Sequence, residues 1–109
     1  MRERGVLIVG SGNIVHNLRV TRENTAPHEA YDWAQAFDAV VQDQIKKGQL
    51  DALQNFQSLG AMAQQAHPSH DHYLPLLYAA GAARANEMPR FFNTGFQSAS
   101  ISMRSVLWG

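Results

Sequence analysis

The sequence predicts an α/β fold, a partial mixed sheet with flanking helices, and three segments carry that expectation. Near the start, Val6-Leu7-Ile8-Val9 is a continuous aliphatic run stopped by Gly10-Ser11-Gly12-Asn13, the pattern of a strand buried on both faces. In the middle, residues 30–47 place Trp33, Phe37, Val40, Val41, Gln44 and Ile45 at helical spacing, with Gly48 as the stop. At the end, residues 98–108 alternate Ala99, Ile101, Met103, Ser105 and Leu107 against Ser98, Ser100, Ser102, Arg104 and Val106, which reads as a half-buried strand.

Between these segments lie two further helices. Leu53, Phe56, Leu59 and Met62 form an apolar row over residues 50–66, interrupted near Gly60. His67-Pro68-Ser69-His70-Asp71-His72 cannot be helix interior, because Pro68 disfavours helix at His67, although Ser69 or His70 could cap the next helix. That helix starts at Asp71 or Tyr73 and ends near Ala85, with Pro75 tolerable only in its first turn. Trp33, Phe37, Phe56 and Met62 recur at core spacing and read as core rather than as a binding surface.

The 109 residues, 45% hydrophobic and 17% charged, suit one soluble domain. Nine basic and nine acidic residues cancel, so no broad field gathers phosphate backbones or anionic lipid, and neither nucleic acid nor membrane is an expected partner. The apolar run of residues 6–9 is too short for a signal segment or a span. Cysteine is absent, which fits a cytoplasmic location and leaves His, Asp and Glu as the metal donors. Two strands are few for an independent sheet, so the chain reads as a fragment or as a homo-oligomer that covers its edge with another copy.

Four of the five histidines fall in site-like contexts: His16 behind a strand and glycine turn, and His67, His70 and His72 in the proline-broken loop. Ligands of α/β sheets gather beyond the carboxyl ends of strands, which favours His16, although a histidine there could equally pack on a helix start. The Gly10-Ser11-Gly12 turn is no dinucleotide fingerprint, since Val15 stands where a third glycine belongs, and no Gly-Lys-Ser/Thr makes it a P-loop. Its small residues suit close backbone approach. His70 and His72 could chelate a metal locally, but two residues of separation is an unspecific signal, and imidazoles serve acid/base roles as readily. Asp71 could orient an imidazole or cap a helix.

Gly5-Val6-Leu7-Ile8-Val9-Gly10-Ser11-Gly12-Asn13-Ile14-Val15-His16-Asn17-Leu18, then His67-Pro68-Ser69-His70-Asp71-His72-Tyr73-Leu74-Pro75-Leu76-Leu77-Tyr78, then Ser100-Ile101-Ser102-Met103-Arg104-Ser105 resemble, in that order, the class III extradiol ring-cleavage dioxygenases of the 4,5-DOPA dioxygenase type. Trp33, Phe37 and Gly81 also fit, so the resemblance spans essentially residues 1–109 as a single C-terminal fragment of that catalytic domain, well under half of the family's usual length. It implies a non-haem metal, Fe(II) or in some cases Zn(II), that holds a small aromatic diol through both oxygens while O2 is inserted next to the diol. It implies that His16 and His72 serve as metal ligands or catalytic acid/base, with Asn13 and Tyr73 beside the substrate. His67 and His70 are less secure, because the family's motif tolerates other residues there.

The family's early histidines belong to an N-terminal part that has no counterpart here. Two imidazoles fall short of the roughly three protein donors of a facial iron site, so the expectation is weak metal binding and no catechol turnover by the chain alone. Two rival readings are a non-catalytic binding or assembly module built on the same fold and a zinc hydrolase using the same histidines.

Overall fold

The computed structural model describes residues 2–109. Helix α1, Asp32–Lys46, turns Ala34, Phe37, Asp38, Val41 and Ile45 inward. These positions recur at the three- and four-residue steps that make one helical face. The face packs on α2, Leu50–Gln54, and α3, Ala61–Ala66, around Leu53, Phe56, Ala63 and Ala66. Phe37 and Phe56 are buried, and Trp33 and Met62 pack half-buried against them, as core spacing predicts. Truncating a buried aromatic of this kind costs about 3–5 kcal/mol.

The break within residues 50–66 is a 3-10 turn, Phe56–Leu59, followed by Gly60 at φ 68° and ψ −132°. That backbone conformation is open almost only to glycine, so a single residue redirects the helix. Helix α4, Leu74–Ala82, begins with Pro75 in its first turn, where its missing N–H costs no hydrogen bond. The carbonyl of His70 accepts from the backbone N–H of both Tyr73 and Leu74 and closes the turn into α4; no side chain caps the helix. None of the Ser69, His70 and Asp71 side chains therefore serves as its cap.

The chain ends in two small antiparallel ribbons. β1, Pro89–Phe92, pairs with β4, Ser105–Trp108, and β2, Phe96–Gln97, pairs with β3, Ile101–Ser102. Single bridges join His16 to Ile101 and Ala30 to Ala99. Helices with small sheets make this an α/β fold.

Two strand expectations are corrected. Residues 6–9 form no strand: the described residues offer their backbone no ladder, and Leu7 and Val9 stand 79% and 77% exposed rather than buried. Residues 98–108 are not one strand but a turn, β3, a break at Met103 and Arg104, and β4. The buried residues here are Ser100 and Ser102 together with Ala99. Ser100 and Ser102 are buried while Met103 and Leu107 are exposed, because the serines find partners inside: Ser100 donates to the Asn17 carbonyl at 2.7 Å and Ser102 to Asp38 at 2.6 Å. Buried hydroxyls are tolerated when they are paired in this way.

Candidate functional site

Residues 13–17 form a strap held from two sides. The backbone N–H of Asn13 donates to the His72 carbonyl at 2.7 Å, and that of His16 to the Ala66 carbonyl at 2.9 Å. On the other side, the backbone N–H of Ser102 donates to the Val15 carbonyl at 3.0 Å and that of Asn17 to the Ser100 carbonyl at 3.2 Å. The glycines make the first contact feasible. A β-carbon on Gly12 would sit 2.2 Å from the His72 carbonyl oxygen, and one on Gly10 2.5 Å from that of Pro75. Close approach of backbone to backbone is the use of these small residues.

The consequence is a pair of imidazoles from distant parts of the sequence. The rings of His16 and His72 stack with centroids 3.6 Å apart and planes 19° from parallel. His16 is half-buried and His72 exposed. Burial holds the pKa of His16 below the ordinary histidine value, repulsion from His72 adds to this, and a backbone hydrogen bond opposes it. His16 is therefore a neutral imidazole at neutral pH, able to accept a proton.

The other residues of the histidine loop take different places. His70 turns aside, its Nε2 3.0 Å from the Gln57 amide nitrogen and its ring edge-on to Phe56. Asp71 is exposed and, among the described residues, forms no hydrogen bond to an imidazole. His67 is buried among Phe37, Phe56 and Tyr73, with Nε2 2.5 Å from the Ile14 carbonyl. Tyr73, expected beside a substrate, is instead fully buried in the core, where its hydroxyl donates to the Leu53 carbonyl at 2.9 Å and burial raises its pKa. The turn at residues 71–73 sends His72 and Tyr73 in opposite directions.

His72 and Asn13 line a groove of about 660 Å³ whose walls include residues 5–10, Leu76, Ala79, Val106 and Trp108. Arg104 also lines it. Its Nε and Nη2 donate to Asp38 Oδ2 at 3.0 and 2.9 Å, while Ser102 Oγ donates to Oδ1, so the buried carboxylate is met on both oxygens. Asn13 Nδ2 donates to the Ser102 carbonyl at 3.1 Å and joins the groove to this network. Sequence reasoning missed Asp38 and Arg104. The available signal was a carboxylate inside the apolar stripe of α1, a position that calls for a cation.

The described residues do not make a complete divalent-metal site. No three His, Cys, Asp or Glu side chains converge among them, and a facial site needs about three protein donors. Ring nitrogens also hold their lone pairs in the ring plane, so two stacked, near-parallel imidazoles do not aim at a point between them.

Comparison with known proteins gives one consistent result. The family described as the catalytic LigB subunit of aromatic ring-opening dioxygenase matches residues 1–106. The 4,5-DOPA dioxygenase extradiol of Escherichia coli (strain K12) is 33% identical over all of this chain and 41% of its own length. The protein of that name from Mirabilis jalapa is 36% identical over 77% of this chain and 31% of its own length. The crystal structure of the uncharacterized protein JW3007 from Escherichia coli K12 superimposes with a TM-score of 0.85 at 32% identity, covering 96% of this chain and 43% of that one. The chain thus spans about two fifths or less of the length of the curated relatives it matches. The resemblance read from the glycine turn, the histidine loop and the serine-arginine segment agrees with these matches, and the chain belongs to the LigB family of aromatic ring-opening dioxygenases.

Proposed function

We propose that this chain is the C-terminal part of an extradiol dioxygenase of catecholic substrates and contributes His16 and His72 to a site completed by groups outside it. The observation that carries the reading is the stack of these two imidazoles, assembled from the glycine turn and the histidine loop, with His72 lining the groove. Stacking at 3.6 Å gives both rings one locale, so both would meet the same small substrate.

In this reading Fe(II), or Zn(II) in its place, is bound with further donors from outside the chain. The work assigned to the chain's own residues is narrower. His16 accepts a phenolic proton as the diol binds, its lowered pKa favouring the unprotonated ring that a general base requires. Asn13, fixed through Ser102, borders the place where a diol would lie. The aliphatic walls of the groove suit the face of an aromatic ring.

The test is a titration of the pure chain with catechol in the presence of Zn(II), which is redox-silent, followed by NMR. The reading expects weak, saturable shifts centred on His16, His72 and Asn13 that vanish in His16→Ala and His72→Ala, with phenol as a much weaker competitor. Shifts elsewhere, or shifts indifferent to both substitutions, would sink it.

The exposed Leu7 and Val9 favour a second reading, in which the run of residues 6–9 is covered by another strand, from a second copy or from a preceding segment. Light scattering checks the first source: a concentration-dependent dimer that Leu7→Glu dissociates is the expected outcome, and a strict monomer excludes it.

A further inference from the structure

His67 is the one histidine of the loop whose ring faces the core, only 2% exposed. Its Nε2 lies 2.5 Å from the carbonyl oxygen of Ile14. A carbonyl only accepts, so the ring must be the Nε2–H tautomer, with Nδ1 bare. Nδ1 is buried and has no partner among the described residues. A phenylalanine would fill the same space between Phe37, Phe56 and Tyr73 and would leave no nitrogen unpaired. What it would not supply is the donor to Ile14.

That donor acts at a particular place. It fixes the peptide between Ile14 and Val15, and the next N–H along the strap that bonds the same side is that of His16, to the Ala66 carbonyl. The loop takes hold of the strap again where the Asn13 N–H meets the His72 carbonyl. Backbone torsions from Asn13 to His16 are thus held on this side by the His67–His72 loop and by Ala66 at the end of α3, opposite the hold of Ser102 on Val15, and with them the direction in which the His16 side chain leaves the chain.

We infer that His67 is a positioning residue whose Nε2–H bond to Ile14 sets the stacking of His16 on His72, rather than a member of the reacting pair. The inference deepens the proposed function in saying how the pair is held. Its test reads ring geometry and not catechol binding, so either can fail without the other.

The experiment is NMR on the 109-residue chain. In the wild type, a scalar coupling across the hydrogen bond from His67 Nε2 to the Ile14 carbonyl carbon is expected; an Nδ1–H tautomer, or no coupling, overturns the proposal. His67→Phe keeps the ring and removes the donor. It is expected to lose the upfield ring-current shifts of the His16 and His72 ring protons while core residues away from residue 67, such as Val41 and Ile45, keep their native shifts. His67→Gln, whose amide N–H reaches to a similar distance, should restore them. Intact stacking shifts in folded His67→Phe, or equal loss in both variants, would overturn the assignment. If His67→Phe does not fold, the wild-type coupling and His67→Gln decide: unchanged stacking shifts in the glutamine variant support the proposal, and their loss counts against it.

Discussion

Gly12 passes so close to His72 that a methyl group in place of its hydrogen would lie 2.2 Å from the His72 carbonyl oxygen. The obstacle is backbone and cannot swing away, so Gly12→Ala must separate the strap from the histidine loop and break the Asn13 to His72 bond. A loss of about 1–3 kcal/mol is expected, the usual cost of overpacking. Gly81→Ala is the control: its β-carbon meets nothing within 4 Å and lies in α4, where alanine should stabilise by up to about 1 kcal/mol. Urea unfolding of both variants, with the His16 and His72 ring shifts as a second readout, checks the pair.

Acid should weaken the fold through His67. Burial pushes its pKa down from 6.5 to about 4, outweighing the favourable bond to Ile14. A histidine depressed in the folded state binds its proton first in the unfolded chain, so this contribution is full above pH 6.5, declines as pH falls, and is exhausted near pH 4. The magnitude is about 3 kcal/mol. His16 acts in the same direction. Denaturant midpoints measured between neutral pH and pH 4 should fall steeply for the wild type and less steeply for His67→Gln, which has nothing to protonate there; parallel curves would contradict the assignment.

Asp38 and Arg104 form the buried ion pair beneath the groove, with side chains only 4% and 11% exposed. Removing one partner leaves the other charge without compensation at a cost of about 3–5 kcal/mol. Asp38→Ala is therefore expected to destabilise strongly and to free Ser102. Replacing both residues, with Asp38→Leu and Arg104→Met, should recover much of the loss. A double-mutant cycle of Asp38→Leu, Arg104→Met and the two together, by chemical denaturation, measures the coupling, and additive losses would show that the pair is not one unit.

Legibility in the sequence tracks the range of the interactions. The stripe through Phe37, Val41 and Ile45, the break at Gly60 and the place of Pro75 in the first turn of α4 depend on neighbours a few residues away, and the structure matches the reading at each. The strand expected at Val6-Leu7-Ile8-Val9 required a ladder partner that local pattern cannot supply. β1 was missed because Pro89, Arg90, Phe91 and Phe92 are a short run beginning at a proline, paired with β4 far along the chain. The buried face of residues 98–108 was obscured because serine and arginine look solvent-seeking until Asp38 is brought beneath them. The turn and the loop single out His16 and His72, and the fold stacks these two rings. Tyr73 misled because adjacency to His72 along the chain says nothing about which way a turn sends each side chain.

On the proposed function, Asn13, His16 and His72 contribute to a site whose remaining groups lie outside the described chain. The most direct measurement is anaerobic titration of the pure chain with Fe(II) and a catechol, followed by admission of air and observation of the yellow ring-opened semialdehyde. The expected outcome is weak metal uptake, abolished by His16→Ala or His72→Ala, and no colour. Tight stoichiometric iron binding with ring cleavage by the pure chain would contradict it.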